Sequence, residues 1–161
     1  MTTVEFVIER TVEAPIDRVF ARLVDIEGHN DWMPKQGTMF KHVRKTSSGE
    51  EQVGTTYLEE TAQGPQPGDI VELERPHKVT YHWWDTSKAG KLRFEGWPGY
   101  SLEPAGENST LVPHHAKLTM YGMYRLGAPL FRRLAVRERT TTIDALKASF
   151  ESPTDQSPGS G

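Results

Sequence analysis

The sequence predicts an α+β fold in which a meander of antiparallel strands is followed by one long C-terminal helix. Between Gly37 and Tyr121, apolar residues alternate with polar ones and short turns rich in Gly, Pro and Ser interrupt them, the pattern of strands with one buried face. The run from Gly122 to Glu151 is the longest helical stretch of the chain. The remaining helical segments gather after the first strand rather than between later ones. Helices therefore segregate to one face of an antiparallel sheet.

The composition bounds the possibilities. The 161 residues suit one domain, expected over residues 1–151, with a disordered tail at 152–161 rich in Pro, Ser and Gly. A formal net charge of −3 offers no broad basic field, so nucleic acid is not an expected partner. The chain has no cysteine, which excludes disulfides, thiolate metal sites and cysteine nucleophiles. No apolar run approaches the roughly 20 residues of a membrane span. The N-terminal MTTVEFVIERTVEAP has alternating charge and lacks the form of a secretory signal, so a cytoplasmic location is expected.

Taken in order, residues 3–13 form a strand with Val4, Phe6 and Ile8 on one face. Pro15 opens a helix to Ile26, with Val19, Phe20, Leu23 and Ile26 as its apolar stripe and Gly28 as its stop. His29 to Pro34 makes a short second helix or turn carrying Trp32 and Met33. Strands follow at 38–45 and 52–62, then a turn at Gly64 to Asp69. Ile70 to Arg75 is a strand with Val71 and Leu73 inward, and Val79 to Asp85 is one with Tyr81 and Trp83 inward and His82 and Trp84 outward. Lys91 to Glu103 is expected to bulge or bend at Trp97-Pro98-Gly99, because proline cannot donate to the ladder. After a turn at Pro104 to Asn108, Ser109 to Met120 is the last strand, with Val112, His114, Ala116, Leu118 and Met120 on one face. The first strand is expected to pair with it. On the final helix, Phe131, Leu134, Ala135, Ile143, Leu146 and Phe150 supply the apolar side, while Arg137 to Thr142 between them is polar all round and is where a cavity or its mouth is expected.

Several short motifs then stand in a telling order. They are Val7-Ile8-Glu9-Arg10 leading to Ala14-Pro15-Ile16-Asp17-Arg18-Val19-Phe20, Asp25-Ile26 with Asp31-Trp32-Met33-Pro34, and Val53-Gly54-Thr55. Further on come Leu102-Glu103-Pro104 before Ser109-Thr110, and Ala145-Leu146-Lys147 before Phe150-Glu151. Together, over residues 3–151, they resemble the Bet v 1-like or START-type superfamily (SRPBCC), in particular its bacterial polyketide cyclase/dehydrase and lipid-transport group. Ser109 departs from the pattern, standing where glycine is usual. The resemblance implies a helix-grip fold: a curved seven-stranded antiparallel sheet wrapped around the C-terminal helix, with two short helices after the first strand. It also implies an apolar pocket and no metal or nucleotide cofactor. Members bind lipids, polyketides or aromatic metabolites, some catalyse cyclisation or dehydration, and some are ligand-free co-chaperone modules, so the role must be argued from the site.

On that frame the residues expected to line a ligand pocket are Trp32, Tyr57, Val71, Leu73, Tyr81 and Trp83, followed by Phe94, Tyr100, Val112, His114, Phe131 and Leu134. His114, Tyr81 and Tyr57 are the candidate proton-transfer groups, with a hydrogen-bonded structural histidine as the other reading of His114. The inward aromatics either line a pocket for a flat ligand or fill it, filling being favoured. Tyr57 inward would carry Glu59 inward, and a buried carboxyl needs a partner or a raised pKa; the opposite register puts Leu58 inward. Arg93 is expected to point outward, and Trp84 to offer an exposed outer contact. Glu138, Thr141 and Thr142 face either a cavity or solvent, and the favoured reading is a solvated face with Arg137 and Arg139 pairing surface acids. The six histidines form no HxH or HExxH spacing, so no metal site is expected. A hydrophobic small molecule is the expected partner of a monomer or homodimer, with an enzyme of the cyclase or dehydratase type as the alternative.

Overall fold

The computed structural model describes residues 1–151; the tail at 152–161 lies outside the described residues. Eight strands form one antiparallel sheet: β1 (Thr2–Val12), β2 (Phe40–Lys45), β3 (Thr56–Thr61), β4 (Gly64–Glu74), β5 (Lys78–Thr86), β6 (Leu92–Ser101), β7 (Glu103–Gly106) and β8 (Ser109–Met120). The spatial order is β1-β8-β6-β5-β4-β3-β2, with the four-residue β7 pairing β8 to one side. Three helices complete the fold: α1 (Ile16–Val24), α2 (His29–Trp32) and α3 (Ala128–Ser149), the last entered through a 3₁₀ turn at Gly122–Gly127. This is the α+β helix-grip arrangement, and β1 pairs β8 in register from Thr2↔Met120 to Val12↔Thr110.

The strands differ from expectation in several places: β2 and β3 begin at Phe40 and Thr56 rather than at 38 and 52, and four further differences bear on the site. The Gly64–Asp69 stretch is not a turn but the first half of β4, and the turn is only Ala62-Gln63. Pro65 and Pro67 are tolerated there because β5 pairs with β4 only from Gly68 onward, leaving that flank of the strand without a neighbour. Pro98 causes no bulge: the β5–β6 register is the same on both sides of it, Thr80↔Gly99 and Trp83↔Gly96, with only the pairs between them missing. Pro104 to Gly106 is strand β7 rather than turn. A bulge falls instead between Ile70 and Glu72, so Ile70 is the buried residue and Val71 is the extra one.

The core occupies one end of the concave face. Val19, Phe20, Leu23 and Val24 of α1 meet Ile143 and Leu146 of α3 over Val12, Val79, Leu102 and Val112 of the sheet. Alternation and helical periodicity brought these side chains together, and burial of each large apolar group contributes roughly 1.5–3 kcal/mol. The N-terminal half of α3 passes over the other end, where the concave face is not filled.

Candidate functional site

A cavity of ≈ 270 Å³ lies between the sheet and the N-terminal half of α3, closed at one end by α2 and Met33. Its floor is a row that runs in register across five strands: Tyr57, Gly68, Trp83, Gly96 and Leu118. Aromatic and glycine alternate in this row for a steric reason. A Cβ on Gly68 would lie 2.3 Å from the Tyr57 ring, and one on Gly96 would lie 2.2 Å from the Trp83 indole. The two rings therefore lie flat across the neighbouring backbones, which keeps them out of the space above. A chain of edge-to-face contacts continues the wall, Tyr57 to Tyr81 at 5.8 Å, Tyr81 to His29 at 5.7 Å and His29 to Trp32 at 5.5 Å. Phe94 and Phe131, 5.1 Å apart, form the opposite wall. Exposed Gln63, Pro65 and Leu134 mark the mouth.

Of the expected lining residues, Trp32, Tyr57, Tyr81, Trp83, Phe94, Tyr100, Phe131 and Leu134 all border this cavity. Val71, Leu73, Val112 and His114 do not. Val71 is displaced by the bulge, whereas Leu73 and Val112 belong to the packed end of the sheet. His114 is fully buried behind Tyr100, whose ring stacks on it at 4.1 Å and 7°. Its Nδ1–H donates to the Gly99 carbonyl at 2.8 Å, and its Nε2 has no partner. Burial, and then the charge of Arg139, hold its pKa well below 6.5, so it is a neutral core histidine and not a cavity acid or base.

The two candidate tyrosines are anchored rather than free. The Tyr81 hydroxyl donates to the Leu23 carbonyl at 2.6 Å, and His29 Nε2–H donates to the same carbonyl at 2.9 Å, tying α1 and α2 to the sheet. The Tyr57 hydroxyl makes a long 3.4 Å bond to the His82 carbonyl. Burial pushes both phenols well above their usual pKa and lowers that of His29.

The polar groups of the cavity come from positions where the sequence left two readings or favoured the other one. Glu59 does point inward, in register with Tyr57, and Leu58 does not border the cavity. Burial raises the Glu59 pKa from 4.5 to about 7, opposed by the Arg139 charge and assisted by Glu138. Arg139 and Glu138 are not on a solvated face. Both line the cavity, and Arg139 Nε is buried without a hydrogen-bond partner, as is Trp32 Nε1. Glu138 Oε1 accepts the Met39 N–H at 3.0 Å, fixing the chain ahead of β2 to the helix. Thr142 is buried, while Thr141 returns its hydroxyl to the Arg137 carbonyl. Near the mouth, Arg93 donates two bonds to Asp85, 2.8 and 2.9 Å, and Asp85 is itself a lining residue. On the outer face Trp84 is half-buried rather than exposed, 5.2 Å from His82, which stacks on Trp97. Among the described residues no group of His, Asp or Glu is disposed to hold a metal ion, and no helix is long and apolar enough to cross a membrane.

No protein-family model and no curated protein matches the chain. Solved structures do resemble it. The Zhui aromatase/cyclase from Streptomyces sp. R1128 superposes with a TM-score of 0.76 over 98% of this chain and 99% of its own, at 14% identity. A START superfamily protein from Mycobacterium smegmatis gives 0.71 over 92% and 97%, at 15% identity. The di-domain aromatase/cyclase StfQ of the steffimycin biosynthetic pathway gives 0.70 at 16% identity, with this chain covering 52% of its length. The chain therefore has a START/Bet v 1-like (SRPBCC) fold.

Proposed function

We propose that the protein binds a largely apolar, flat small molecule bearing an oxygen acceptor, held between the sheet and α3. One observation carries the reading: inside an aromatic-walled cavity, Arg139 Nε and Trp32 Nε1 are buried donors with no acceptor. A buried donor left unpaired costs about 1–3 kcal/mol, so an acceptor on a bound molecule would recover that cost. The volume of ≈ 270 Å³ is near the lower end for small-molecule sites and speaks against a filled, ligand-free interaction module. The START protein and aromatase/cyclases of the same fold are consistent with such a role.

The test is titration of the purified protein with a panel of aromatic ketones, phenols and fatty acids, read by ¹⁵N NMR and by fluorescence of Trp32 and Trp83. Saturable shifts confined to cavity residues, weakened at least tenfold in Arg139→Met, are expected. Absence of saturable binding across the panel, together with no small molecule retained in native mass spectra, would overturn the reading.

A second reading, an aromatase/cyclase or dehydratase, is favoured by Glu59. A carboxyl with a pKa of about 7 inside a ligand cavity is suited to give and take protons near neutral pH. On that reading Glu59, not His114, moves the proton and Arg139 stabilises the developing oxyanion. Glu59→Gln would then abolish turnover of a bound polyketone while leaving its affinity intact.

A further inference from the structure

The 3₁₀ turn and first turns of α3 carry apolar side chains on the outside of the protein. Met123 is 84% exposed, Leu126 86%, Leu130 55% and Leu134 49%. They recur at spacings of three, four and four, which places them along one flank. Leu134 is also at the cavity mouth. Exposed Arg125, Arg133 and Arg137 alternate with them, and among the described residues none has a carboxylate partner. From Asn108 to Arg137 the chain holds Lys117, Arg125, Arg132, Arg133 and Arg137 and no Asp or Glu, although the whole sequence is net acidic at −3.

We propose that this flank docks on an anionic membrane surface. Leucine and methionine would enter the headgroup boundary, while the arginines reach lipid phosphates along their apolar stems. The charge pattern decides the occupant. The unpaired arginines, with no acid between Asn108 and Arg137, complement a surface of fixed negative charge. A second copy joined flank to flank would bring no carboxylate from this stretch to meet them. Because the flank borders the mouth, an apolar ligand could pass between bilayer and cavity without crossing water; that consequence rests on the ligand-binding reading, but the docking does not.

The experiment is vesicle flotation of the full chain, with phosphatidylcholine vesicles and with mixed phosphatidylcholine–phosphatidylglycerol vesicles. The protein is expected to float with the anionic vesicles only and to be released by added salt. Leu126→Glu with Leu130→Glu should abolish flotation. Arg133→Gln and Arg137→Gln should each weaken it about fivefold, and these exposed single changes keep the test informative should the double variant fold poorly. Equal partition into both vesicle types, no flotation with either, or unaffected variants would overturn the proposal. So would a sedimentation-detected dimer, or a complex with an acidic protein, that the leucine variants dissolve. Flotation by a protein that binds none of the small-molecule panel would leave the docking standing and remove only the ligand reading.

Discussion

Glu59 gives the sharpest test of the cavity's electrostatics. Its carboxyl releases its proton at about 7 in the folded protein and at 4.5 when freed from burial. Between those values the folded state binds more protons than the unfolded one, so stability falls as pH rises from 4.5 to 7 and is level above that. The difference corresponds to about 3 kcal/mol at full ionisation. Glu59→Gln keeps the shape and hydrogen-bonding capacity of the neutral acid but cannot ionise. The variant should match wild type near pH 4.5 and exceed it at pH 8 by as much as that amount, roughly 6–12 °C in Tm for a chain of this size. Every other titrating group is shared by the two proteins, so the difference between their Tm–pH curves isolates this one. Arg139→Met removes the cation that holds the Glu59 pKa down, and in that background the midpoint of the difference curve should move upward. A Tm difference equal at pH 5 and pH 8 would refute the reasoning, for it would mean the carboxylate is as well solvated folded as unfolded.

Other consequences are directly measurable. Gly96→Val should force the Trp83 indole into the cavity, costing about 1–3 kcal/mol; a lower Tm with altered Trp83 fluorescence is expected, and unchanged melting with an unchanged spectrum would contradict the flat-ring geometry. Leu146→Ala, at the buried centre of the packed end, should cost about 2–5 kcal/mol in urea unfolding without altering cavity shifts in NMR spectra. His114, held neutral by burial, contributes stability above its unfolded value of 6.5 that is lost as pH falls below it. His114→Leu should therefore flatten the acid side of the stability profile, and a profile as steep as wild type would count against that assignment.

The strands were legible because alternation survives wherever one face is buried; β1 follows it along its whole length and β8 as far as Lys117. What the sequence concealed was pairing. Pro65 and Pro67 read as a turn because proline in a strand is normally excluded, and only the knowledge that β5 stops short of them makes them acceptable. Val71 read as inward because alternation was counted straight through a bulge, which has no compositional mark here. Gly68 read as part of a turn and Gly96 carried no reading, yet each is fixed by the aromatic ring that lies over it from the next strand.

The most consequential misreading concerned α3. Counting apolar residues leaves a gap at Arg137 to Thr142, which marks the place of a cavity or its mouth, yet the favoured reading of its side chains was a solvated face. Counting turns instead gives a continuous inward stripe: Phe131, Ala135, the neighbours Glu138 and Arg139, then Thr142, Leu146 and Phe150, successive turns lying three or four residues apart. The helix does not leave the sheet at its centre; the residues facing the sheet change from apolar to ionisable there. A packed core would exclude a guanidinium and a carboxyl at these positions, because an uncompensated buried charge costs several kcal/mol. Their tolerance at the centre of the stripe follows from the unfilled space beneath them. The same reasoning separates Arg139 from His114: each has a buried nitrogen without a partner, but of the two only Arg139 borders open volume, so only Arg139 can gain a partner by binding one.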